Sequence, residues 1–344
     1  MARNQRPPLP ALGTPLEPLY RAAVNKRNRD FDNGRRIAKL PIPVVSVGNI
    51  SVGGTGKTPM VRWIVNTLRD LGANPGIAMR GYGRKHAGVS DEQQEHADRM
   101  PDTPIAANPD RVAAIHTLIE QHRADCAVLD DGFQHRFAAR DLDIVLIDAT
   151  RSPFADRCLP AGWLREPVES LARAHAIVIT RSTLIEPHAL SQLDRQLRRV
   201  APDALIVRAD HHWAALETQF GAQPVSWLNG RPTIIACAIG NPDAFIAQAR
   251  AHGARIIGTI IRRDHHHWTR RDADRILSLA RPTTRQGALL TTHKDWVKWR
   301  RLDNERLNAA AVRPIVEMSM IEEDAAALRD ALQQVFKNHP NPVP

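Results

Sequence analysis

Cysteine is scarce in this chain: Cys126, Cys158 and Cys237 are its only three, and they lie far apart in the sequence. That scatter excludes a disulfide framework and a paired-cysteine zinc site, and it suits a reducing compartment. Aromatic residues make up only 5% and are not interleaved with the basic ones, so the stacking platforms of a single-strand nucleic-acid binder are missing. No hydrophobic run approaches the roughly 20 residues of a spanning helix, and no apolar signal core follows the N-terminus. The expectation is a protein on the cytoplasmic face of a membrane, peripheral and without a span. Acidic residues are the minority among charges, 37 against 47 Lys and Arg, a net +10 that calls for an anionic partner. Charge alone leaves a phosphorylated substrate, an acidic leaflet and nucleic acid all open.

What is present in quantity is ordinary for a globular protein, with 43% hydrophobic and 24% charged residues. A chain of 344 residues is long enough for two domains. The stretch that organises them is residues 43–71, PVVSVGNISVGGTGKTPMVRWIVNTLRDL. It reads as a short apolar strand, a glycine-rich loop and a helix whose apolar face is Val61, Ile64, Val65 and Leu68. Loops of this kind cradle phosphates: Gly53, Gly54 and Gly56 let successive backbone N–H groups turn toward an anion, and the helix start adds its positive end. Ser51, Val52, Gly53, Gly54, Thr55, Gly56, Lys57 and Thr58 are the expected ATP contacts. Lys57 would reach the terminal phosphates and Thr58 would offer its hydroxyl to Mg²⁺. Ser51 stands where the usual pattern has its first glycine.

The rest of the chain is read in order. Residues 1–18 are proline-rich and read as extended; residues 19–40 are a basic helix that either meets anionic headgroups or packs on the domain. A strand at 76–79 runs into the basic loop RGYGR (80–84), and a polar stretch follows at 89–95. The strand Cys126–Leu129 runs into Asp130 and Asp131, and adjacent acids at a strand end beyond a phosphate loop suit Mg²⁺. Further apolar runs at 143–148 and 175–180 read as buried parallel strands, giving a doubly wound, mostly parallel α/β sheet. Residues 213–223 lack periodicity and read as a connector to a second, smaller α/β set, with strands at 233–239, 256–261 and 288–292. There, Asp264 precedes His265, His266 and His267. Histidines adjacent in sequence do not point to one metal, so a strand-end Asp264–His265 pair facing an interdomain cleft is the preferred reading. His293, Lys294 and Asp295 end the next strand and are read as lining the same cleft.

Taken together, VGNISVGGTGKTP (47–59), RGYGR (80–84), DDGFQH (130–135), LPAGWLREP (159–167), AIGNPDAF (238–245), RDHHHW (263–268) and TTHKDWVKW (291–299) resemble the tetraacyldisaccharide 4′-kinase family, the lipid A 4′-kinases. The resemblance implies transfer of the ATP γ-phosphoryl group to the 4′-hydroxyl of a lipid A disaccharide 1-phosphate at the anionic inner-membrane surface. It implies Lys57 and Thr58 on phosphates and Mg²⁺, and Asp130, Asp131 and Glu92 on the metal. Asp91 is the implied base, with His265 as its partner and Asp264 beside it, and Arg80, Arg111, Gln134 and His135 are implied substrate contacts. No nucleic acid and no obligate protein partner are expected. The family's Gly-Asp-Glu-Pro is Ser90-Asp91-Glu92-Gln93 here, and the N-terminal segment is more polar than a usual docking helix.

The expected division is a basic N-terminal segment at 1–40, a P-loop kinase domain at 41–210, a second α/β domain at 211–330 that closes over the site, and a tail at 331–344. A P-loop GTPase or metal-delivery NTPase is the rival enzyme reading. It needs an Asn-Lys-x-Asp element on a late strand, and that strand ends instead in Thr180-Arg181-Ser182-Thr183.

Overall fold

The computed structural model describes residues 10–34, 36–81, 89–264, 266–280 and 287–339. Among the described residues two compact units emerge, one of residues 10–211 with 318–339, the other of 212–317. The first begins with helix α1 (Pro10–Asp32), strand β1 (Val44–Asn49) and helix α2 (Lys57–Asp70). It continues through β2 (Pro75–Met79), α3 (Asp91–Arg99), β3 (Ile105–Ala107), α4 (Arg111–His122), β4 (Cys126–Asp130) and β5 (Leu142–Asp148). Then come β6 (Ala176–Thr180), α5 (Pro187–Val200) and β7 (Leu205–Thr218), the strand along which the chain passes into the second unit. The strands of the first unit lie in the order β7-β6-β5-β1-β4-β2-β3, every pairing parallel. The order reverses beside β1, so the loop after β1 opens at the switch point where doubly wound sheets bind ligands.

Alternation along the buried strands sets the layers. Val45 and Val47 of β1 face the side covered by Met60, Val61, Ile64 and Leu68 of α2, while Val44 faces Ile115 and Leu118 of α4. Ile144 and Leu146 of β5 share the α2 side, and Val145 and Ile147 pack toward Leu193 and Leu197 of α5. Strands buried on both faces need continuous apolar runs, which is what their sequences hold.

The second unit holds a short antiparallel hairpin between the end of β7 and β8 (Gly221–Gln223), then β9 (Pro232–Cys237), α6 (Pro242–Ala251), β10 (Arg255–Ile261), α7 (Arg270–Ala280), β11 (Ala288–Leu290), α8 (His293–Arg300), α9 (Glu305–Ala310) and β12 (Ala311–Ser319). Its parallel order is β10-β9-β11-β12. Ile235, Cys237 and Leu290 pack toward Phe245 and Ala249 of α6. Ile234, Ala236 and Leu289 pack toward Ala273, Ile276, Trp299 and Leu307 of α7, α8 and α9.

Three local expectations are corrected, and one stretch that the sequence left without an element gains one. Residues 10–18 are helical, not extended, although Pro15 and Pro18 sit inside α1. Side-chain anchoring of that helix, by the Tyr20 hydroxyl on the Arg165 carbonyl (2.8 Å) and by buried Val24, Asn28 and Phe31, overrides the two lost N–H donors. The polar stretch at 89–95 is the start of α3, capped by the Ser90 hydroxyl accepting from the Gln93 N–H at 3.2 Å. Residues 213–223, where the chain does enter the second unit, are not aperiodic: 213–218 and 221–223 are strand, with Trp213 and Leu216 turned into the core. Residues 331–338 complete helix α10 (Glu322–Asn338), which returns to the first unit and buries Leu328, Leu332 and Val335 beside α2. Each of those side chains contributes about 2 kcal/mol of apolar burial, more than a free tail could forgo. The expected boundary at residue 330 therefore falls inside one helix. Residues 340–344 lie outside the described residues.

Candidate functional site

The loop between β1 and α2 is held from two sides. On one, the Val52 N–H donates to the Trp163 carbonyl (2.8 Å) and the Arg165 N–H to the Ile50 carbonyl (2.7 Å), with Ser51 bridging antiparallel to Leu164. The LPAGWLREP segment thus braces the loop's first limb. On the other, the Thr180 hydroxyl donates to the Thr55 carbonyl (3.2 Å) and Arg181, itself paired with Asp148, donates to the Gly54 carbonyl at 3.1 Å. Inside the loop the Asn49 amide donates to the Thr55 hydroxyl at 3.0 Å. Gly56 caps α2 with φ of 93°, and a Cβ there would meet the His211 ring at 1.9 Å, so both conformation and space demand glycine. Burial and the Arg181 charge push His211 down to about 3, which makes it a neutral wall. Thr58 lies in the first turn of α2.

Lys57, the first residue of α2, reaches back across the loop. Its ammonium lies 3.5 Å from Asn49 Oδ1 and 3.3 Å from Asp131 Oδ1. Asp131 sits at φ of 55°, a left-handed turn immediately beyond β4, and also accepts from Arg165 at 2.9 and 2.8 Å. Burial would raise its carboxyl, but Lys57 and Arg165 hold it well below the usual carboxylate range. It is ionised and doubly countered at neutral pH.

Asp130 is different. One oxygen, Oδ2, lies 2.9 Å from Nε2 of His96, a fully buried imidazole on α3. The other, Oδ1, is buried with no hydrogen-bond partner among the described residues. Burial pulls the His96 pKa down, but the Asp130 hydrogen bond and charge, aided by Glu95 and Glu92, raise it overall. An orphaned carboxylate oxygen costs about 1–3 kcal/mol unless a partner arrives, and an oxygen-seeking cation or its water is a fitting one. No group of three or more His, Cys, Asp or Glu side chains that could hold a metal by itself occurs among the described residues. Mg²⁺ sites commonly take only one or two carboxylates and complete their shell with phosphates and water. Asp130 and Asp131, with the Thr58 hydroxyl, fit that donor set.

Asp91 and Glu92 form the acidic first turn of α3, the helix that carries His96. Arg80 follows β2, Arg111 opens α4 and His135 follows the DDGF turn, and the two arginines act electrostatically on that histidine. Burial, then Arg111, Arg140 and Arg80, drive His135 down to about 4, so it is neutral at pH 7. Its Nε2 is buried without a hydrogen-bond partner among the described residues. Arg111 is 3% exposed and donates to the Asn108 and Pro109 carbonyls, which makes it a brace for the α4 start. Gln134 is engaged at both ends of its amide, on the Asn49 carbonyl (2.9 Å) and Arg165 (3.4 Å).

The sequence reading passed over Asn49, His96, Arg165, Arg181 and His211. Asn49 and Arg165 carried a signal, as parts of VGNISVGGTGKTP and LPAGWLREP. In the second unit, Asp264 is ion-paired with Lys294 at 3.1 Å. His265 lies outside the described residues. His266 contacts Asp272 at 3.2 Å, so this neighbour of the expected catalytic pair serves the start of α7. Asp295, read as lining a cleft, is fully buried and accepts from the Ala238 N–H, the Thr292 hydroxyl and the Trp268 indole.

Comparison with known proteins agrees with this geometry. The sequence profile described as tetraacyldisaccharide-1-P 4′-kinase matches residues 9–337. A tetraacyldisaccharide 4′-kinase of Pseudomonas paraeruginosa is 45% identical over 184 residues, 50% of this chain and 55% of that one. One from Pseudomonas aeruginosa is 36% identical over 306 residues, 85% of each chain. Among solved structures, LpxK from Aquifex aeolicus in complex with ATP superposes with a TM-score of 0.71 at 27% identity, covering 94% of this chain and 98% of that one.

Proposed function

The chain belongs to the tetraacyldisaccharide-1-P 4′-kinase family, an ATP-dependent kinase for the 4′-hydroxyl of the lipid A precursor, and on that premise we propose how its own side chains divide the work. The loop 51–58 takes the triphosphate: its N–H groups and the start of α2 meet the anion, and Lys57 exchanges Asn49 and Asp131 for terminal phosphate oxygens. Asp130, Asp131, Thr58 and Glu92 are the residues that would hold Mg²⁺, and the ion would supply charge neutralisation on the phosphates. Asp91 orients the sugar hydroxyl and takes its proton while the hydroxyl oxygen bonds to the γ-phosphorus and the bond to the ADP oxygen breaks. Arg80 and His135 contact the phosphorylated sugar, and Arg111 and Gln134 hold the loops that present them. Catalytic roles for Asp264 and His265 stand as what the family resemblance implies.

The observation that carries this reading is the pairing of a braced phosphate loop with a half-committed buried carboxylate at the end of β4. The lipid is met at an anionic inner-membrane surface on its cytoplasmic side, for which exposed Leu16 and Leu19 on α1, a helix that carries Arg21, Lys26, Arg27 and Arg29, are the supporting feature. No described helix is long and apolar enough to cross a membrane.

The test is incubation of the purified protein with γ-labelled ATP and Mg²⁺, with the disaccharide 1-phosphate presented in anionic or in neutral vesicles. A new phosphomonoester on the distal sugar, formed faster on anionic vesicles, is expected. Label released only as inorganic phosphate would overturn the acceptor. Equal rates on both vesicles would remove the anionic surface from the reading.

A further inference from the structure

Helix α3 is an unusual carrier for a reactive group. Its sequence, DEQQEHADR, has no apolar stripe, and its one buried residue is His96. A helix of nine residues is not stable by itself, and apart from Met100, the core residue at its C-cap, this one brings no large apolar side chain to its neighbours. The His96 imidazole is fully buried, and its Nε2 meets Asp130 Oδ2 at 2.9 Å at the end of β4. Asp91 is five residues back along the helix, about 7.5 Å of axial rise. That polar contact ties the helix bearing Asp91 and Glu92 to the strand bearing Asp130.

The same contact sorts the two oxygens of Asp130. A carboxylate with both oxygens open can rotate about its terminal torsion and meet a cation through either one or both. Here Oδ2 is committed to His96, and Oδ1 alone is left over, buried and without a partner among the described residues. We propose that His96 is a positioning residue: it fixes Asp130 so that Oδ1 is the oxygen offered to nucleotide-bound Mg²⁺, and it holds the helix that presents Asp91. The proposal rests on the kinase reading above and extends it to a residue that makes no contact with either substrate.

The consequence is specific. Groups that orient a metal-binding side chain typically change metal affinity or activity by about 10- to 100-fold when removed. Loss of the imidazole should therefore act on Mg²⁺ and on the chemical step, and not on lipid affinity. His96→Ala in the full chain is expected to raise the Mg²⁺ concentration for half-maximal binding of a non-hydrolysable ATP analogue by about tenfold. Binding of the analogue in EDTA should be unchanged, kcat should fall by about tenfold, and KM for the lipid should stay within about twofold. His96→Gln places an amide N–H near the lost Nε2 and should recover most of both. His96→Asn is too short to reach Asp130 and should resemble the alanine variant, which supplies a second reading should alanine fail to fold.

Folded His96→Ala or His96→Asn with wild-type Mg²⁺ dependence and kcat would overturn the proposal, whatever its melting temperature. So would a folded His96→Gln that recovers nothing, because packing rather than the hydrogen bond would then matter. Failure of the underlying site looks different: the wild-type protein itself would show no Mg²⁺-dependent binding of the analogue.

Discussion

Each unit of the molecule keeps a buried carboxylate near a strand end, and the two are used in opposite ways. In the second unit, Asp295 sits in the first turn of α8, whose cap is Thr292, and spends both oxygens: Oδ2 on the Ala238 N–H (2.9 Å) and the Thr292 hydroxyl (2.7 Å), Oδ1 on the Trp268 indole at 3.0 Å. In the first, Asp130 spends one oxygen on His96 and leaves the other buried and unspent among the described residues. A saturated buried acid cross-links three segments of its unit. A half-saturated one costs stability in the free protein, so its persistence points to a partner that comes and goes. Asp131 completes the contrast, because the cations that neutralise it, Lys57 and Arg165, belong to the loop and its brace.

The largest effects should come from the unsaturated side. Lys57→Ala removes the cation that bridges loop and acid, and is expected to lower turnover by about 10³-fold and weaken ATP binding as well. Asp91→Ala removes the proposed base and should cost about 10²- to 10³-fold in kcat while ATP binding survives. Parallel steady-state kinetics and ATP titration separate the two. Near-wild-type turnover in Asp91→Ala would end its assignment as the base.

The buried pair offers the next, sharper cut. Asp295→Ala strands three donors, two of them buried, and is expected to cost about 3 kcal/mol of stability by denaturant unfolding. Asp130→Ala strands only His96 and should cost about 1 kcal/mol, while abolishing Mg²⁺-dependent turnover. If the two variants were destabilised equally, the distinction between saturated and half-saturated carboxylates would be empty.

Much of the first unit could be read in advance because its determinants are local. The run from Val44 through Leu68 fixes strand, loop and helix by periodicity and glycine placement alone, and β4, β5 and β6 are near-continuous apolar runs. Helix α3 was missed because a helix without an apolar stripe leaves no periodic trace; the Ser90 and Gln93 cap was its only sign. His96, Asn49 and Arg181 were missed for a different reason. His96 and Arg181 act on residues distant in sequence, Asp130 and Gly54, while Asn49 meets Lys57 only once the loop between them folds back. A lone histidine in a polar segment says nothing of such a partner until the sheet sets them side by side. Conversely, Asp295 looked like a cleft residue because strand ends in such sheets often are, and only its three donors reveal a brace.

The smallest expected effect asks whether saturation, rather than membership of a unit, decides the role. Glu166 belongs to the first unit yet is fully buried and saturated: Oε1 accepts from Arg27 (3.0 Å), and Oε2 from Asn28 (2.8 Å) and Arg173 (3.0 Å). It pins α1 to the LPAGWLREP segment. Burial would raise its carboxyl, but Arg173, the Asn28 hydrogen bond and Arg27 together lower it below its ordinary value near 4.5. A carboxyl depressed in the folded state contributes stability above the unfolded pKa, and that contribution is lost as pH falls through the folded value. Glu166→Gln should therefore melt below wild type at pH 7, and the gap should close as the pH drops below about 4. Its kcat should remain within about threefold of wild type, in keeping with a tie that never meets substrate. A gap that persists unchanged at acid pH would mean that shape, not charge, holds α1 in place. A collapse of kcat without loss of stability would show a saturated carboxylate serving the reaction, and the rule drawn from Asp295 and Asp130 would fail.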